Sequence, residues 1–268
     1  MFSPAYSRPF FCIFMEQSSL PPHALEVAGV LNPNDFKAGT DLWDSICNAG
    51  GADLTNCLLA PDTTTRLEGL TFPVMQIAEL VSAVGVQTIR ARFVVLHDAN
   101  NNLRFSVAMY AAGANDTVLS SYYLARRYWL PQASSVSAYV RPAPLRLNQD
   151  APKHALPKAL ADYWVASWAD AKRYPTSPAL FTSAGQPLYG YNFALSDLMD
   201  PLRGLNDFNN QVLTMTFGLH TFLNFNGKVD APVATLGLML QIANLSDKDE
   251  AAVGNDAFDV GMPCPPAP

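Results

Sequence analysis

The sequence predicts an α+β protein in which a unit of helix plus antiparallel sheet is internally duplicated, with the two copies related by a pseudo-two-fold axis. Three observations predict this. The motif Lys-Ala-x-x-Asp-x-Trp begins at residue 37 and again at residue 158, which is 121 residues later. Apolar residues alternate with period two at 87–95 and at 211–219. Helical and strand patterns follow each copy of the motif in the same order, which is typical of a repeated unit.

An amphipathic helix is expected to open each unit, near residues 33–48 and 155–172. Residues three or four apart lie on one face of a helix. The predicted buried faces carry Phe36, Gly39, Trp43 and Cys47 in the first helix and Pro157, Leu160, Trp164 and Trp168 in the second. We therefore interpret Trp43 and Trp164 as structural residues that anchor the two helices on their sheets at matching places.

The charged residues of the motif lie on a different helix face. Lys37 and Asp41 are four residues apart, as are Lys158 and Asp162, so each pair can form a salt bridge in solvent. Such an exposed pair stabilises a helix by only a few tenths of a kcal/mol. Because the pair occurs in both copies, these four residues are candidate interface residues.

An extended segment with the pattern Leu-x-Gly-x-x-Phe follows each helix, at 67–72 and 188–193. Glycine within a strand commonly marks a bulge or the close approach of another backbone, so Gly69 and Gly190 are interpreted as structural residues. Phe72 and Phe193 complete the pattern and are expected in the core. A short helix is predicted next in each copy, at 73–84 and 194–203.

Two or three antiparallel strands are expected to complete each unit. The strands at 87–95 and 211–219 align at a shift of 124 residues, and second strands follow at 103–111 and 235–243. The segment HDANNN, which begins at His97, has the composition of a turn and predicts a hairpin in the first copy. Residues 112–124 are predicted to form a third strand.

These elements divide the chain into five parts. Residues 1–20 are predicted to be an N-terminal extension, residues 21–130 the first α+β repeat and residues 131–153 a connector rich in serine and proline. Residues 154–245 are predicted to be the second repeat. Residues 246–268, which are acidic and then rich in proline, are predicted to be a mobile tail.

The composition favours a folded chain and argues against some partners. Hydrophobic residues make up 49% of the chain and charged residues 15%, a balance compatible with a large core and a surface partly covered by another subunit. The net charge of −6 argues against a surface that binds duplex nucleic acid. The cluster SYYLARRYWLP, which begins at Ser121, leaves two interpretations open: a surface for single-stranded nucleic acid, or a strand end whose arginines lie in water.

The cysteines and the apolar runs bear on location. The four cysteines, at positions 12, 47, 57 and 264, include no Cys-x-x-Cys pair, so neither a zinc knuckle nor a thioredoxin-type motif is predicted. The apolar run at residues 10–15 is too short to span a membrane. We expect a cytoplasmic protein with neither a membrane span nor a bound cofactor.

The histidines supply the candidates for chemistry. His97 and His220 each end a predicted strand, but at the shift of 124 His220 matches Leu96, so the two do not form equivalent metal sites and no metal is predicted. His97, Asp98 and His220 are candidate catalytic residues, with a polar strand end as the alternative interpretation. The sequence contains neither a Gly-x-Ser-x-Gly elbow nor a glycine-rich phosphate loop.

Two functional hypotheses follow. The first is a non-enzymatic interaction or assembly protein, built as a fused pseudo-dimer, that binds a protein partner or a second copy through sheet edges or the two Lys/Asp helix faces. The second is a small-molecule binder, or a hydrolase or thioester-type enzyme, with its pocket at the seam between the repeats. The order of one helix and several antiparallel strands, present twice, resembles at the level of fold a tandem hot-dog arrangement, whose members handle acyl thioesters.

Overall fold

The computed structural model describes residues 29–60, 65–98, 100–127, 158–183, 185–203, 205, 207–209, 211–222, 233–244 and 262–263. Within these ranges the protein is α+β, as predicted, with five α-helices and antiparallel sheets. The helices are α1 (Pro33–Ala49), α2 (Gly51–Cys57), α3 (Val74–Val81), α4 (Lys158–Ala169) and α5 (Leu195–Arg203). The strands are β1 (Val30–Leu31), β2 (Gly69–Pro73), β3 (Thr88–His97), β4 (Leu103–Ala112), β5 (Tyr122–Leu124), β6 (Arg126–Arg127), β7 (Thr182–Ser183), β8 (Gln186–Pro187), β9 (Gly190–Ala194), β10 (Gln211–Phe222), β11 (Val233–Asn244) and β12 (Met262–Pro263).

Helix α1 has a defined start and end. The Asn32 side chain accepts hydrogen bonds from the backbone N–H groups of Asn34 and Asp35, at 3.0 and 2.9 Å, and so satisfies two donors that a helix start leaves open. Gly50 follows the last turn with a φ of 66° and donates its N–H to Ile46 at 2.8 Å. These caps define the ends of α1, and its buried face carries Gly39, Trp43, Ile46 and Cys47.

Two long hairpins supply most of the core. β3 pairs with β4 from Thr88 opposite Ala112 to His97 opposite Leu103, and β10 pairs with β11 along twelve residue pairs. Alternation places one face of each strand in the core. The residues of β3 and β10 that join the central core cluster are Ile89, Ala91, Phe93 and Val95, and Leu213, Met215, Phe217 and Leu219.

The two large sheets exchange a strand between the predicted repeats. The six-stranded sheet has the order β1-β5-β4-β3-β9-β12, and the four-stranded sheet has the order β11-β10-β2-β6. Strand β9, from the second repeat, therefore lies beside β3, while β2, from the first repeat, lies beside β10. Each large sheet is completed by a strand from the other half of the chain.

The two exchanged strands pair in the same register. Phe193 stands opposite Ile89, and Phe72 stands opposite Leu213. The differences, 193 − 72 = 121 and 213 − 89 = 124, are the two shifts found in the sequence. The other four residue pairs of each exchange obey the same shifts. In both sheets a further two-residue strand, β6 or β12, borders the exchanged strand.

Two predicted boundaries differ from the structure. Of the third strand predicted at 112–124, Tyr122–Leu124 forms β5. Residues 114–116 form a turn instead, in which Asn115 and Asp116 take positive φ angles of 56° and 61° that a strand does not allow. Met262–Pro263, in the predicted tail, pairs with β9 through the backbone, which composition does not report. The predicted N-terminal extension, the connector and the rest of the tail lie outside the described residues.

A membrane-crossing helix would need a long apolar stretch. None of the helices in the described ranges has the length and hydropathy for that.

Candidate functional site

The seam between the halves contains two reciprocal tryptophan contacts. The indole Nε1 of Trp43, in α1, donates to the Leu188 carbonyl at 3.1 Å, and the Nε1 of Trp168, in α4, donates to the Leu67 carbonyl at 2.8 Å. Both indoles are 1% exposed, and Leu67 and Leu188 are related by the shift of 121. Each helix is therefore held by the segment that leads into the other half's exchanged strand.

Trp164 occupies a different place from Trp43. It is partly buried and stacks on His220 with ring centroids 3.9 Å apart. Its backbone lies against Gly218 of β10, as Gly39 of α1 lies against Val94 of β3. Since 218 − 94 = 124 and 164 − 39 = 125, the structure matches α1 with α4 at a shift of 125. The residue that matches Trp43 is Trp168, one helical turn beyond Trp164.

Gly69 and Gly190 lie where another backbone approaches. A Cβ at Gly69 would clash with the Met215 carbonyl, and a Cβ at Gly190, whose φ is 145°, would clash with the Ala91 carbonyl. Both glycines thus allow an exchanged strand to reach a long strand of the other half. Phe72 and Phe193, at the far ends of the exchanged strands, are fully buried.

A guanidinium also crosses the seam. Arg66 donates from Nη1 to the Trp168 carbonyl at 2.9 Å and from Nη2 to the Tyr174 carbonyl at 2.5 Å and to Thr176 Oγ1 at 2.9 Å. It also lies 4.9 Å from the centroid of the Trp168 ring. Burial lowers the pKa of Arg66. The sequence does not predict this role, because no local sequence pattern distinguishes a buried arginine from a surface arginine.

One cleft lies at the seam, between α3, α5, β10 and β11. It encloses about 10 Å³, close to what one water molecule needs. Its lining is apolar except for Asp197, whose Oδ2 accepts the Ala194 N–H at 2.8 Å. The lining residues are Val74, Ile77, Asp197, Leu198, Pro201, Leu202, Leu213, Leu240 and Ile242. Neither His97 nor His220 is among them, and the cleft is too small for an acyl thioester.

His97 and Asp98 belong to the β3–β4 turn. His97 is exposed, and its Nδ1 lies 3.4 Å from the Asn101 carbonyl. The Asp98 carboxylate accepts the N–H groups of Asn100 and Asn102, at 2.8 and 2.9 Å, and pairs with Arg104 Nε at 2.9 Å. These bonds hold the pKa of Asp98 well below its usual range, with the Asn102 N–H as the largest cause. The geometry gives Asp98 a turn-forming role.

His220 is a partly buried residue near the end of β10. Its imidazole lies between the Trp164 ring and Gly237 of β11, where a Cβ would clash with it. Burial lowers its pKa to about 4, so the imidazole is neutral at pH 7. His97 and His220 lie on the corresponding strands of two different sheets, and the structure does not bring them to one site.

The four candidate interface residues do not occupy equivalent positions. Lys37 and Asp41 form an exposed salt bridge of 2.5 Å along α1. At the shift of 125, Lys37 matches Asp162 and Asp41 matches Ala166. Lys158 is the first residue of α4, and its side chain lies outside what the structure describes. The two helices therefore present different outer faces: that of α1 is polar, whereas that of α4 exposes Leu160 and Tyr163.

Among the residues the structure describes, no cluster of side chains is suited to metal binding or thiol chemistry. No group of three or more His, Cys, Asp or Glu side chains is placed to hold a metal ion there. Cys47 and Cys57 are both buried. Burial, with a smaller contribution from Asp44, raises the pKa of Cys47 to about 11, so this thiol stays protonated at pH 7.

The chain matches no protein-family model, no curated protein and no solved structure.

Proposed function

We propose that this chain is a non-enzymatic interaction or assembly protein, built as a fused pseudo-dimer from an internally duplicated unit. The reciprocal strand exchange is the observation that carries this proposal. A symmetric dimer contacts its partner through the same residues on both sides, and the two halves of this chain do so at constant shifts. The matching indole bonds of Trp43 and Trp168 support the same pseudo-two-fold axis.

Strand order gives further support for a duplication. Reading from the hairpin outwards, one sheet runs β4-β3-β9-β12 and the other runs β11-β10-β2-β6. Each series contains the second hairpin strand, the first hairpin strand, the exchanged strand and a two-residue border strand. Two unrelated halves would have no reason to share this order. Within the described ranges, strands β1 and β5 have no counterpart in the second half.

The proposed contact surface is the outer face of α4. Leu160 is 38% exposed and Tyr163 is 45% exposed, and the outward residues Ala159 and Ala166 add no charge. The matching residues of α1 for Leu160 and Ala166 are Asp35 and Asp41. At these two positions α4 is thus apolar where α1 is charged.

The proposed partner is a second copy of this chain. An apolar helix face is self-complementary across a two-fold axis, because like residues can meet without charge repulsion. The low charged fraction of the chain, 15%, is compatible with such a covered surface. In this assembly a fused pseudo-dimer would itself dimerise, through a surface that only its second half provides.

Sedimentation equilibrium of the full chain tests this proposal. The wild-type mass should rise with concentration. Leu160→Asp gives α4 the residue that α1 has at the matching place, and it should weaken self-association at least tenfold, or about 1.4 kcal/mol. Val84→Asp adds the same charge at a position that is 95% exposed and should leave association unchanged. A wild-type mass that stays monomeric at every concentration would overturn the proposal.

The alternative, a small-molecule binder or a hydrolase or thioester-type enzyme with a pocket at the seam, receives less support. The seam cleft is small and apolar, and its one carboxylate, Asp197, is already bonded to the α5 entry. A general base would need a reacting group within hydrogen-bond reach, and none of the candidate histidines lines this cleft. We therefore retain the assembly function as the proposal.

A further inference from the structure

Two arginines stand on the outer face of the six-stranded sheet, on the side of β3 opposite the core. Arg90 and Arg92 alternate with the buried residues of β3, so both side chains leave the sheet on this face. Their neighbours come from both halves of the chain. Tyr110 of β4 and Asn192 of β9 stand on either side of Arg90, and Ala108 and Gly190 stand on either side of Arg92.

Three polar atoms of this cluster are buried without a protein hydrogen-bond partner in the part of the chain that the structure describes. They are Arg90 Nε, Arg92 Nη1 and Asn192 Oδ1. Arg90 uses its Nη2 for a salt bridge with Asp116, whereas Arg92 has no ion pair within the described residues. Buried polar groups are nearly always satisfied, so the two unpaired guanidinium donors point to a bound acceptor group. Asn192 Oδ1 is itself an acceptor, and the amide can serve such a group only when its NH₂ is turned towards it.

The surroundings of Arg92 leave room for such a group. Its cross-strand neighbours, Ala108 and Gly190, are the smallest available, so no long side chain stands beside the guanidinium on either flanking strand. Arg90, Arg92 and Asn192 are all partly exposed, and solvent therefore reaches the cluster.

A cluster of three aromatic rings borders the patch on its β4 side. Phe36 of α1 stacks on Tyr122 of β5 with ring centroids 4.0 Å apart, and Tyr110 meets both rings edge-on at 5.6 and 5.1 Å. Tyr110 is also the cross-strand neighbour of Arg90. The arginines therefore lie between a rigid aromatic cluster and the exchanged strand β9.

The matching positions of β10 and β2, in the other sheet, carry different residues. By the shifts of 124 and 121, Arg90, Arg92 and Asn192 match Thr214, Thr216 and Thr71. A sheet of this shape therefore does not need the arginines for its stability. Arginine thus occurs at these positions of β3 and not at the matching positions of β10.

We propose that Arg90, Arg92 and Asn192 form a binding site for the oxyanion of a small molecule, either a phosphate or a carboxylate. Guanidinium groups bind both through paired N–H donors, and the Asn192 amide supplies a further donor once it is turned towards the ligand. Arg92 is the primary contact because Asp116 does not compete for it. Arg90 weakens its salt bridge with Asp116 when it binds the ligand. The site is separate from the outer face of α4 and does not depend on self-association.

Isothermal titration calorimetry of the full chain at low ionic strength tests this site. Inorganic phosphate and acetate are titrated separately, and the anion that gives saturable binding identifies the ligand class. Arg92→Thr, which supplies the residue of the matching position 216, should weaken that binding at least tenfold. Arg92→Lys keeps the charge but loses the planar pair of donors, and it should give a smaller loss.

The matched control is Arg203→Thr, which removes the same charge from an exposed arginine of α5. It should change the affinity less than twofold. Far-ultraviolet circular dichroism checks that each variant is folded. The proposal is overturned if neither anion shows saturable binding to the wild-type chain, or if Arg92→Thr and Arg203→Thr bind equally well.

Discussion

The inner contacts of the two halves are the same, whereas their outer helix contacts are opposite. At the seam, Trp43 and Trp168 make the same bond to the other half. On the outer side, α1 places Gly39 against Val94, while α4 places Trp164 against Gly218. In α1 a small helix residue thus faces a larger strand residue, whereas in α4 a large helix residue faces glycine. The exchanged strands fix the inner contacts, and the outer contacts need only fill the same space.

The largest effects should come from the two seam tryptophans. Trp43→Ala and Trp168→Ala each remove a fully buried indole and its hydrogen bond, so each should lower the free energy of unfolding by about 3–5 kcal/mol. Trp164→Ala removes a partly buried ring and should cost only about 1–2 kcal/mol. Urea unfolding measures all three. A larger loss for Trp164→Ala than for Trp168→Ala would contradict the shift of 125 between the helices.

The next effect is a pH dependence that comes from His220 in the second half. The pKa of His220 is lowered to about 4 in the folded chain, from about 6.5 when unfolded. Between these values the unfolded state binds more protons, so the free energy of unfolding should fall as pH falls from 6.5 to 4, by up to about 3 kcal/mol. His220→Leu supplies the residue of the matching position 96 and should remove this component. Thermal unfolding at several pH values measures the difference between the two chains, and equal pH profiles would contradict the assignment.

A smaller effect should follow from exchanging the outer contacts. Gly218→Val alone crowds Trp164 and should cost about 1–3 kcal/mol. Trp164→Gly combined with Gly218→Val recreates the pair found in the first half, so the double variant should be more stable than the sum of the single losses predicts, by about 1 kcal/mol. A double-mutant cycle measured by urea unfolding gives this coupling. Strict additivity would mean that the two positions do not compensate for each other.

Local patterns predicted the elements of this fold but not the way in which they join. The period-two alternation of Ile89, Ala91 and Phe93 identifies a strand and its buried face from sequence alone. The exchange of β2 and β9 depends on backbone pairing between distant segments, and no local pattern reports it. Gly69 and Gly190 did indicate a close backbone approach, though not which strand approaches.

The candidate site was harder to predict for the same reason. Trp43 and Trp164 are identical at the shift of 121, but Trp168 lies one turn further on the same helix face. The bond to Leu67 and the complete burial of Trp168 identify it as the residue that matches Trp43. Arg90 and Arg92 are recognisable as outward residues of a strand. Their neighbour Asn192 comes from the other half, and a sequence read in order does not bring them together.

Disulfide trapping tests the strand exchange most directly. In a chain whose native cysteines are replaced, Thr71→Cys with Thr214→Cys and Arg90→Cys with Asn192→Cys place cysteines at directly paired positions of the exchanged strands, within the range that a disulfide spans. Peptide mass spectrometry after mild oxidation should find both crosslinks, and it should find none in a chain carrying Thr71→Cys with Arg90→Cys. If position 71 joins position 90 and the two exchanged pairs stay reduced, each half keeps its own strand and the account of two interlocked copies is wrong.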